Sequence, residues 1–157
     1  MTQDRVIELF GDPHPFMTAS GEVSNAWPAE VLESFVLPSW IALSGAPAVR
    51  VNRVRCHHLL VEHFGAAFLD IWKFGHWPLL QDYGGCYNFR QQRGAHVLSL
   101  HSWGIALDLN VAQNPFLAPP KMPAEIVSIF KSHGFAWGGE FGQRPDGMHF
   151  EWGGGKP

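Results

Sequence analysis

The stretch "LSLHSWGIALDLN", residues 98–110, predicts one strand of a sheet and a polar group beside it. Its second half alternates: Ile105, Leu107, Leu109 and Val111 would share one face, and Gly104, Ala106, Asp108 and Asn110 the other. This period of two is typical of a strand with one buried face. Asp108 therefore points away from the core, seven residues after His101. We expect the small residues Gly104 and Ala106 to leave open space beside its carboxylate.

A second alternating segment, "MHFEW" at 148–152, predicts a partner strand. Met148, Phe150 and Trp152 would lie on its apolar face, and His149 and Glu151 on the opposite face. When two strands of one sheet both turn an apolar face to the core, their remaining faces coincide. Asp108 and His149 should then project from the same side, with His101 close enough to curl back over the strand.

Two imidazoles and one carboxylate form a donor set that suits zinc and leaves a fourth position for water. Bound zinc lowers the pKa of that water toward ~7, so a nucleophile is available at neutral pH. Asp146, three residues before His149, could accept the proton of the water, and Glu151 is a more distant candidate. The spacing alone is a weak pattern, and the same donors accept other divalent ions.

The length and composition of the chain indicate one globular domain, 1–157, and exclude several classes of protein. A formal charge of −3 argues against nucleic-acid binding, and no apolar run is long enough for a membrane helix. The first residues lack the basic and apolar regions of a signal peptide, so we expect synthesis in the cytoplasm. Cys56 and Cys86 favour buried free thiols, although a disulfide between them stays open. We expect a monomer.

Periodicity and breaker residues predict the remaining elements. We expect a partly irregular N-terminal segment (1–50) with a short helix after Pro28 (29–36), a main helix (53–73), extended chain with a glycine bend (79–89), a polar loop (91–96), a second helix (124–133) and a loop (135–147).

Three segments, taken together, resemble the M15 family of zinc D-Ala-D-Ala peptidases. "SLHSWGIALD" (99–108) is similar to the family signature S-x-H-x-x-G-x-A-x-D. "WGGEF" (137–141), followed by "DGMHFEW" (146–152), resembles the second motif of the family. "GGCYNFRQQRG" (84–94) resembles the arginine segment of its phage-endolysin-like branch. The segments stand in the family's order and span residues 84–152.

The resemblance implies a role for each matching residue. His101, Asp108 and His149 would bind one zinc ion per chain, and Asp146 would be the catalytic base. Arg90 would bind the substrate carbonyl and stabilise the oxyanion, with Arg93 as its rival. The expected substrate-binding residues are Ser99, Trp103 and Trp137, the last forming a wall with Gly138 and Gly139. Packing in the core is the alternative role for the serine and both tryptophans.

The resemblance also implies an α+β fold, in which an antiparallel sheet floors a zinc cleft and helices pack on its other side. The implied function is hydrolysis of peptidoglycan stem peptides. We favour an endolysin-type endopeptidase that cuts L-Ala–D-Glu or a cross-bridge after release through a holin. One alternative is a D,D-carboxypeptidase or D-Ala-D-Ala dipeptidase. The other is a zinc-stabilised binding module for cell-wall or phage-structural partners, against which the presence of Asp146 argues. Hedgehog signalling domains share this fold, so the fold alone does not decide function.

Overall fold

A computed structural model describes residues 1–92 and 97–157, and its centre is a six-stranded sheet. The strands are β1 (Leu32–Leu43), β2 (Ala46–His57), β3 (Tyr83–Gly85), β4 (Ala106–Leu109), β5 (Phe135–Trp137) and β6 (His149–Trp152). They are ordered β2-β1-β3-β4-β6-β5. All neighbours are antiparallel except β1 and β3, which meet in parallel where Leu43 pairs with Tyr83. The α+β class is confirmed, and the expectation of a wholly antiparallel sheet is corrected at that one pairing.

Four α-helices accompany the sheet: α1 (Gln3–Phe10), α2 (Ala26–Val31), α3 (Val61–Lys73) and α4 (Ala124–Ser132). The Thr2 side chain caps α1 by accepting a hydrogen bond from the Arg5 N–H. Helix α4 follows Pro123 and stops before Gly134, whose φ of +92° suits glycine, so the predicted second helix is confirmed. Within the described ranges no helix has the length and apolar character needed to cross a membrane.

The helices α3 and α4 cover the apolar face of the sheet. The Phe130 ring of α4 stacks on Phe150 of β6 with ring centroids 4.5 Å apart. Phe64 of α3 lies 4.4 Å from Phe135 of β5, again between ring centroids. Leu107 of β4 is fully buried in the same core. Because side chains alternate along β4 and β6, Asp108 and His149 lie on the face that the helices leave uncovered.

The predicted main helix, 53–73, is wrong in its first part, because the chain there belongs to β2. Val54 and Cys56 are buried, whereas Arg53 and Arg55 are exposed, which is the period of a strand. Only the second part of the range forms the helix α3. The apolar positions of the strand happen to continue the spacing of the helix that follows it.

The first fifty residues are more regular than expected, since they contain α1, α2, all of β1 and the start of β2. The helix predicted at 29–36 is wrong, because α2 ends at Val31 and the chain continues directly into β1. Strand β1 accommodates Pro38 where its register with β2 is interrupted, between Val36 and Ile41.

Two further boundaries differ from the expectation. The predicted loop 135–147 begins with β5, a strand of three residues that pairs with β6. The predicted strand 104–111 narrows to β4 because Gly104 and Asn110 have positive φ angles, +68° and +52°. Both cysteines are buried free thiols, as the composition favoured.

Candidate functional site

Three candidate metal ligands converge where β4 meets β6. Asp108 and His149 are directly opposite each other in the register of the two strands. The Asp108 Oδ1 atom lies 3.0 Å from His149 Nδ1. His101 reaches them from the 3₁₀ turn Leu100–Trp103, with its Nε2 atom 3.3 Å from Asp108 Oδ1 and 3.2 Å from His149 Nδ1. The structure therefore brings together the three residues that the sequence placed in one site.

The remaining nitrogen of each histidine has its own hydrogen-bond partner. His101 Nδ1 lies 2.7 Å from the Cys86 carbonyl oxygen, which can only accept, so Nδ1 carries the proton and Nε2 offers a lone pair. His149 Nε2 lies 3.1 Å from a Glu151 carboxylate oxygen, which leaves Nδ1 for the centre of the group. The ligand atoms lie within 4.8 Å of one another. Two imidazole nitrogens and a carboxylate oxygen so oriented fit a divalent metal ion.

The charges of Asp108 and His149 depend on each other. Burial opposes ionisation of Asp108, but its contacts with His101 and His149 prevail and hold its pKa below the usual range. Burial likewise opposes a charge on His149, but its hydrogen bonds to Asp108 and Glu151 raise its pKa to about 9. Without a metal ion, His149 is therefore protonated at neutral pH. A divalent cation would replace the proton on Nδ1.

The space around Asp108 is set by a different glycine from the one expected. A Cβ on Gly104 would lie 2.7 Å from Leu32 Cδ2 and 3.0 Å from the His57 nitrogen, so its lack of a side chain makes room for β1 and β2 rather than for a ligand beside Asp108. Gly84 is the residue that lies against Asp108, since a Cβ there would be 2.9 Å from Asp108 Cβ and 2.5 Å from Val111 Cγ2. The sequence signal for this close approach is the glycine bend in the extended segment 79–89, which by itself does not indicate the site.

Asp146 is held in a turn that leads into β6. Its N–H donates to the Gly138 carbonyl oxygen over 2.9 Å, and its own carbonyl accepts from the His149 N–H over 3.1 Å. The Trp137 indole N–H donates to the Gly147 carbonyl oxygen over 2.9 Å. A Cβ on Gly138 would lie only 2.4 Å from the Asp146 carbonyl oxygen. Trp137 and Gly138 thus fix the backbone that carries Asp146, and Trp137 does not line the cleft.

Arg90 is fixed by its backbone to the turn that carries His101. Its N–H donates to Ser102 Oγ over 3.1 Å, and the same hydroxyl donates to the Arg90 carbonyl over 3.0 Å. The Ser99 N–H donates to that carbonyl as well, over 2.9 Å. Ser102 is a site residue that no motif or spacing in the sequence indicates. Arg93, the proposed rival of Arg90, lies outside the described residues.

The N-terminal part of the chain contacts the same turn. The buried Trp103 donates its indole N–H to the Gly11 carbonyl oxygen over 2.8 Å. Trp27 donates its indole N–H to the Ser102 carbonyl oxygen over 2.9 Å. These bonds tie the segments around α1 and α2 to the turn that positions His101.

A cleft of about 440 Å³ lies over the ligand group. Asp108, Asp146, His149 and Arg90 all line it. Its other lining residues come from the beginning of the chain, the segments that flank residues 93–96, the 3₁₀ turn, the loops after β4 and β5, and β6: Met1, Gln3, Val6, Gln92, Val97, Leu98, Ser99, Leu100, Trp103, Phe116, Phe141, Arg144, Met148 and Glu151. The cleft thus combines two members of the ligand group, Asp108 and His149, with two other carboxylates and two arginines.

Comparison with protein families agrees with this geometry. A family model described as D-alanyl-D-alanine carboxypeptidase, one of the M15 peptidases, matches residues 92–152. The resemblance to the M15 peptidase family is confirmed. The match supports a peptidase that acts on cell-wall peptides, and it includes His101, Asp108, Asp146 and His149. Arg90 lies just before the matched segment of M15 sequence. The comparisons with curated proteins and with solved structures gave no match.

Proposed function

We propose that this protein is a zinc-dependent endopeptidase that cleaves peptidoglycan stem peptides, as an endolysin does. The observation that carries the proposal is the convergence of His101 Nε2, Asp108 Oδ1 and His149 Nδ1 within 4.8 Å. The cleft over them is also lined by Asp146 and Arg90, a candidate base and a candidate oxyanion partner. These three ligands would hold one zinc ion and leave a coordination position open toward the cleft.

The chemistry that bound zinc supplies is that of a Lewis acid, which makes water acidic enough to attack at neutral pH. Asp146 would accept the proton of the attacking water and then donate it to the leaving amine. Its place supports this role, because it lines the cleft and its backbone is hydrogen-bonded to both Gly138 and His149. The two steps balance: one peptide bond breaks, and water supplies the hydroxyl of the new acid and a proton of the new amine.

Arg90 would stabilise the negative charge that develops on the carbonyl oxygen of the scissile bond. A guanidinium keeps its charge at any physiological pH and presents several donors, so it suits an oxyanion. The Ser102 hydroxyl accepts a hydrogen bond from the Arg90 N–H and donates one to the Arg90 carbonyl oxygen. Because these two bonds fix the Arg90 backbone, they limit the distance between its side chain and the ligand group. Ser99 would contact the peptide from the cleft wall, and the fully buried Trp103 would shape that wall from behind, whereas Trp137 would act through the Asp146 turn.

The endopeptidase assignment rests on the form of the arginine segment and on aspartate as the base. The bond would be L-Ala–D-Glu or a cross-bridge, reached after release through a holin. A D,D-carboxypeptidase or a D-Ala-D-Ala dipeptidase is the second candidate. The description of the matching family favours it, and Arg144 in the cleft wall offers a cation for the terminal carboxylate that such a substrate carries.

Mass spectrometry of muropeptides, after the protein is incubated with purified peptidoglycan, tests the proposal. We expect free stem peptides or opened cross-bridges, and none when a chelator is present. Release of D-alanine alone would instead assign a carboxypeptidase. If no product forms although one equivalent of zinc is bound, the third possibility, a zinc-stabilised binding module, replaces the enzyme.

A further inference from the structure

Glu151 lies on the cleft face of β6, two residues after His149. Its Oε2 atom is 3.1 Å from His149 Nε2, and only about 20% of its side chain is exposed. Its register neighbours on the adjoining strands are Ala106 in β4 and Ala136 in β5. Because both neighbours are alanines, the Glu151 side chain has room to lie along the sheet toward His149.

The contact decides which nitrogen of His149 faces the ligand group. A neutral imidazole carries one N–H, and whichever nitrogen donates leaves the other as the ligand. A carboxylate beside Nε2 accepts the hydrogen bond there, so the lone pair falls on Nδ1, which is 3.0 Å from Asp108 Oδ1. At His101, the Cys86 carbonyl accepts the hydrogen bond from Nδ1 and leaves the lone pair on Nε2. The two histidines thus present different nitrogens, each because of its own acceptor.

Glu151 is poorly placed for the other roles that a carboxylate in this cleft could have. Its carboxylate lies beside the nitrogen of His149 that faces away from Asp108 and His101. The group whose ligand atoms converge consists of His101, Asp108 and His149 without it. Asp146, by contrast, stands in the turn before the strand, where backbone hydrogen bonds to Gly138 and His149 hold it.

We propose that Glu151 is a positioning residue: it fixes the His149 ring with Nδ1 toward the metal and thereby strengthens metal binding. The inference rests on the proposed zinc site. Carboxylates that hold a ligating histidine in this way typically change metal affinity by about 10–100-fold when they are removed.

The test compares the zinc affinities of the whole chain and its variants by competition with a chromophoric chelator. Glu151→Ala should bind zinc about 10–100-fold more weakly. Glu151→Gln, which keeps a neutral acceptor of nearly the same shape, should lose less than Glu151→Ala. Glu140→Gln is the matched control, because it removes the same charge near the Asp146 turn and breaks only an exposed ion pair with Lys131. The control should bind zinc like the unchanged protein.

A second readout separates positioning from a general loss of structure. In ¹⁵N-correlated NMR spectra of the zinc-loaded protein, the His149 ring should show a protonated Nε2. In Glu151→Ala this proton should exchange faster or disappear, while the metal-free protein still unfolds in one cooperative thermal transition. If Glu151→Ala does not fold, the zinc affinity and the NMR spectrum are measured on Glu151→Gln instead.

The outcomes separate this inference from the proposed function. If the unchanged protein binds zinc and Glu151→Ala binds it equally well, the positioning role is wrong and the zinc site stands. The role is equally wrong if zinc affinity is kept and only peptide hydrolysis is lost, because Glu151 would then take part in the chemistry. If the unchanged protein binds no zinc, the proposed function itself fails, and this inference fails with it.

Discussion

Replacing Gly138 with alanine should displace the backbone that carries Asp146. The added Cβ would lie 2.4 Å from the Asp146 carbonyl oxygen and 3.1 Å from the Cβ atoms of both Asp146 and His149. Ordinary contacts of a Cβ begin near 3.4 Å, so the turn must retreat by about 1 Å. No flexible side chain can absorb this movement, because the closest atom belongs to the main chain.

The displacement should reduce hydrolysis much more than folding. A misplacement of about 1 Å in a catalytic group costs on the order of 100-fold, so we expect kcat/KM to fall by about that factor. Overpacking of this kind lowers the free energy of unfolding by roughly 1–3 kcal/mol. The assay is hydrolysis of a purified muropeptide by the zinc-loaded Gly138→Ala variant, with urea denaturation measured alongside.

Gly65→Ala supplies the control for adding a methyl group elsewhere. Gly65 lies within α3, and its Cβ would meet only Phe35 Cδ2 at 3.9 Å. Hydrolysis should stay unchanged, and stability should rise by roughly 0.5–1 kcal/mol because alanine favours a helix. If Gly138→Ala kept full activity while remaining folded, Asp146 would not require its present position, and its assignment as the base would be refuted.

Three other predictions concern the base, the metal group and a buried histidine. Asp146→Asn should retain one equivalent of zinc and lose about 10²–10⁴-fold in kcat/KM, since a general base contributes that much; an unchanged rate in the muropeptide assay would remove Asp146 from the mechanism. Zinc binding at pH 7 should release about one proton, because the pKa of His149 is raised to about 9 in the metal-free protein, and the release should vanish above that pH. Calorimetry in buffers with different ionisation enthalpies counts the protons, and a count of zero at pH 7 would contradict the charge assigned to His149. The pKa of His57 is lowered from 6.5 to about 4 by burial, so its contribution to stability is complete above pH 6.5 and is lost as the pH falls toward 4. The loss should reach about 3 kcal/mol in urea denaturation, and a His57→Gln variant should lack that part of the pH dependence.

The ligand group could be predicted because it depends on the alternation of apolar and polar residues within two strands and on the register between β4 and β6. The period of two put Asp108 and His149 on polar faces, and the apolar residues around them required those faces to coincide. The pairing of the two residues, directly opposite each other, follows from that pattern. The seven-residue spacing to Asp108 indicated His101 only weakly, because no periodicity predicts its place in a 3₁₀ turn, and the similarity of the signature to the M15 peptidases strengthened that choice.

Other parts of the fold depend on contacts between segments distant in sequence, which local patterns do not contain. The apolar pattern merges β2 with α3 because Val54, a buried residue of the strand, continues the helical spacing of Val61 and Phe64 after it. Strand β5 has three residues, too few for any period, and exists because it pairs with β6. The roles of Gly84 and Gly138 likewise emerge only when neighbouring strands and turns are brought against the site.

The hydrogen bonds from Trp27 to Ser102 and from Trp103 to Gly11 limit how this protein can be shortened or recombined. A fragment restricted to the matched segment, 92–152, would keep all three ligands. It would lose Trp27, the donor of the first bond, and Gly11, the acceptor of the second. It would also lose β3, the strand that borders β4 beside Asp108. The smallest transplantable catalytic unit therefore includes the helices at the beginning of the chain, and grafts between related enzymes need to exchange those helices together with the ligand turn.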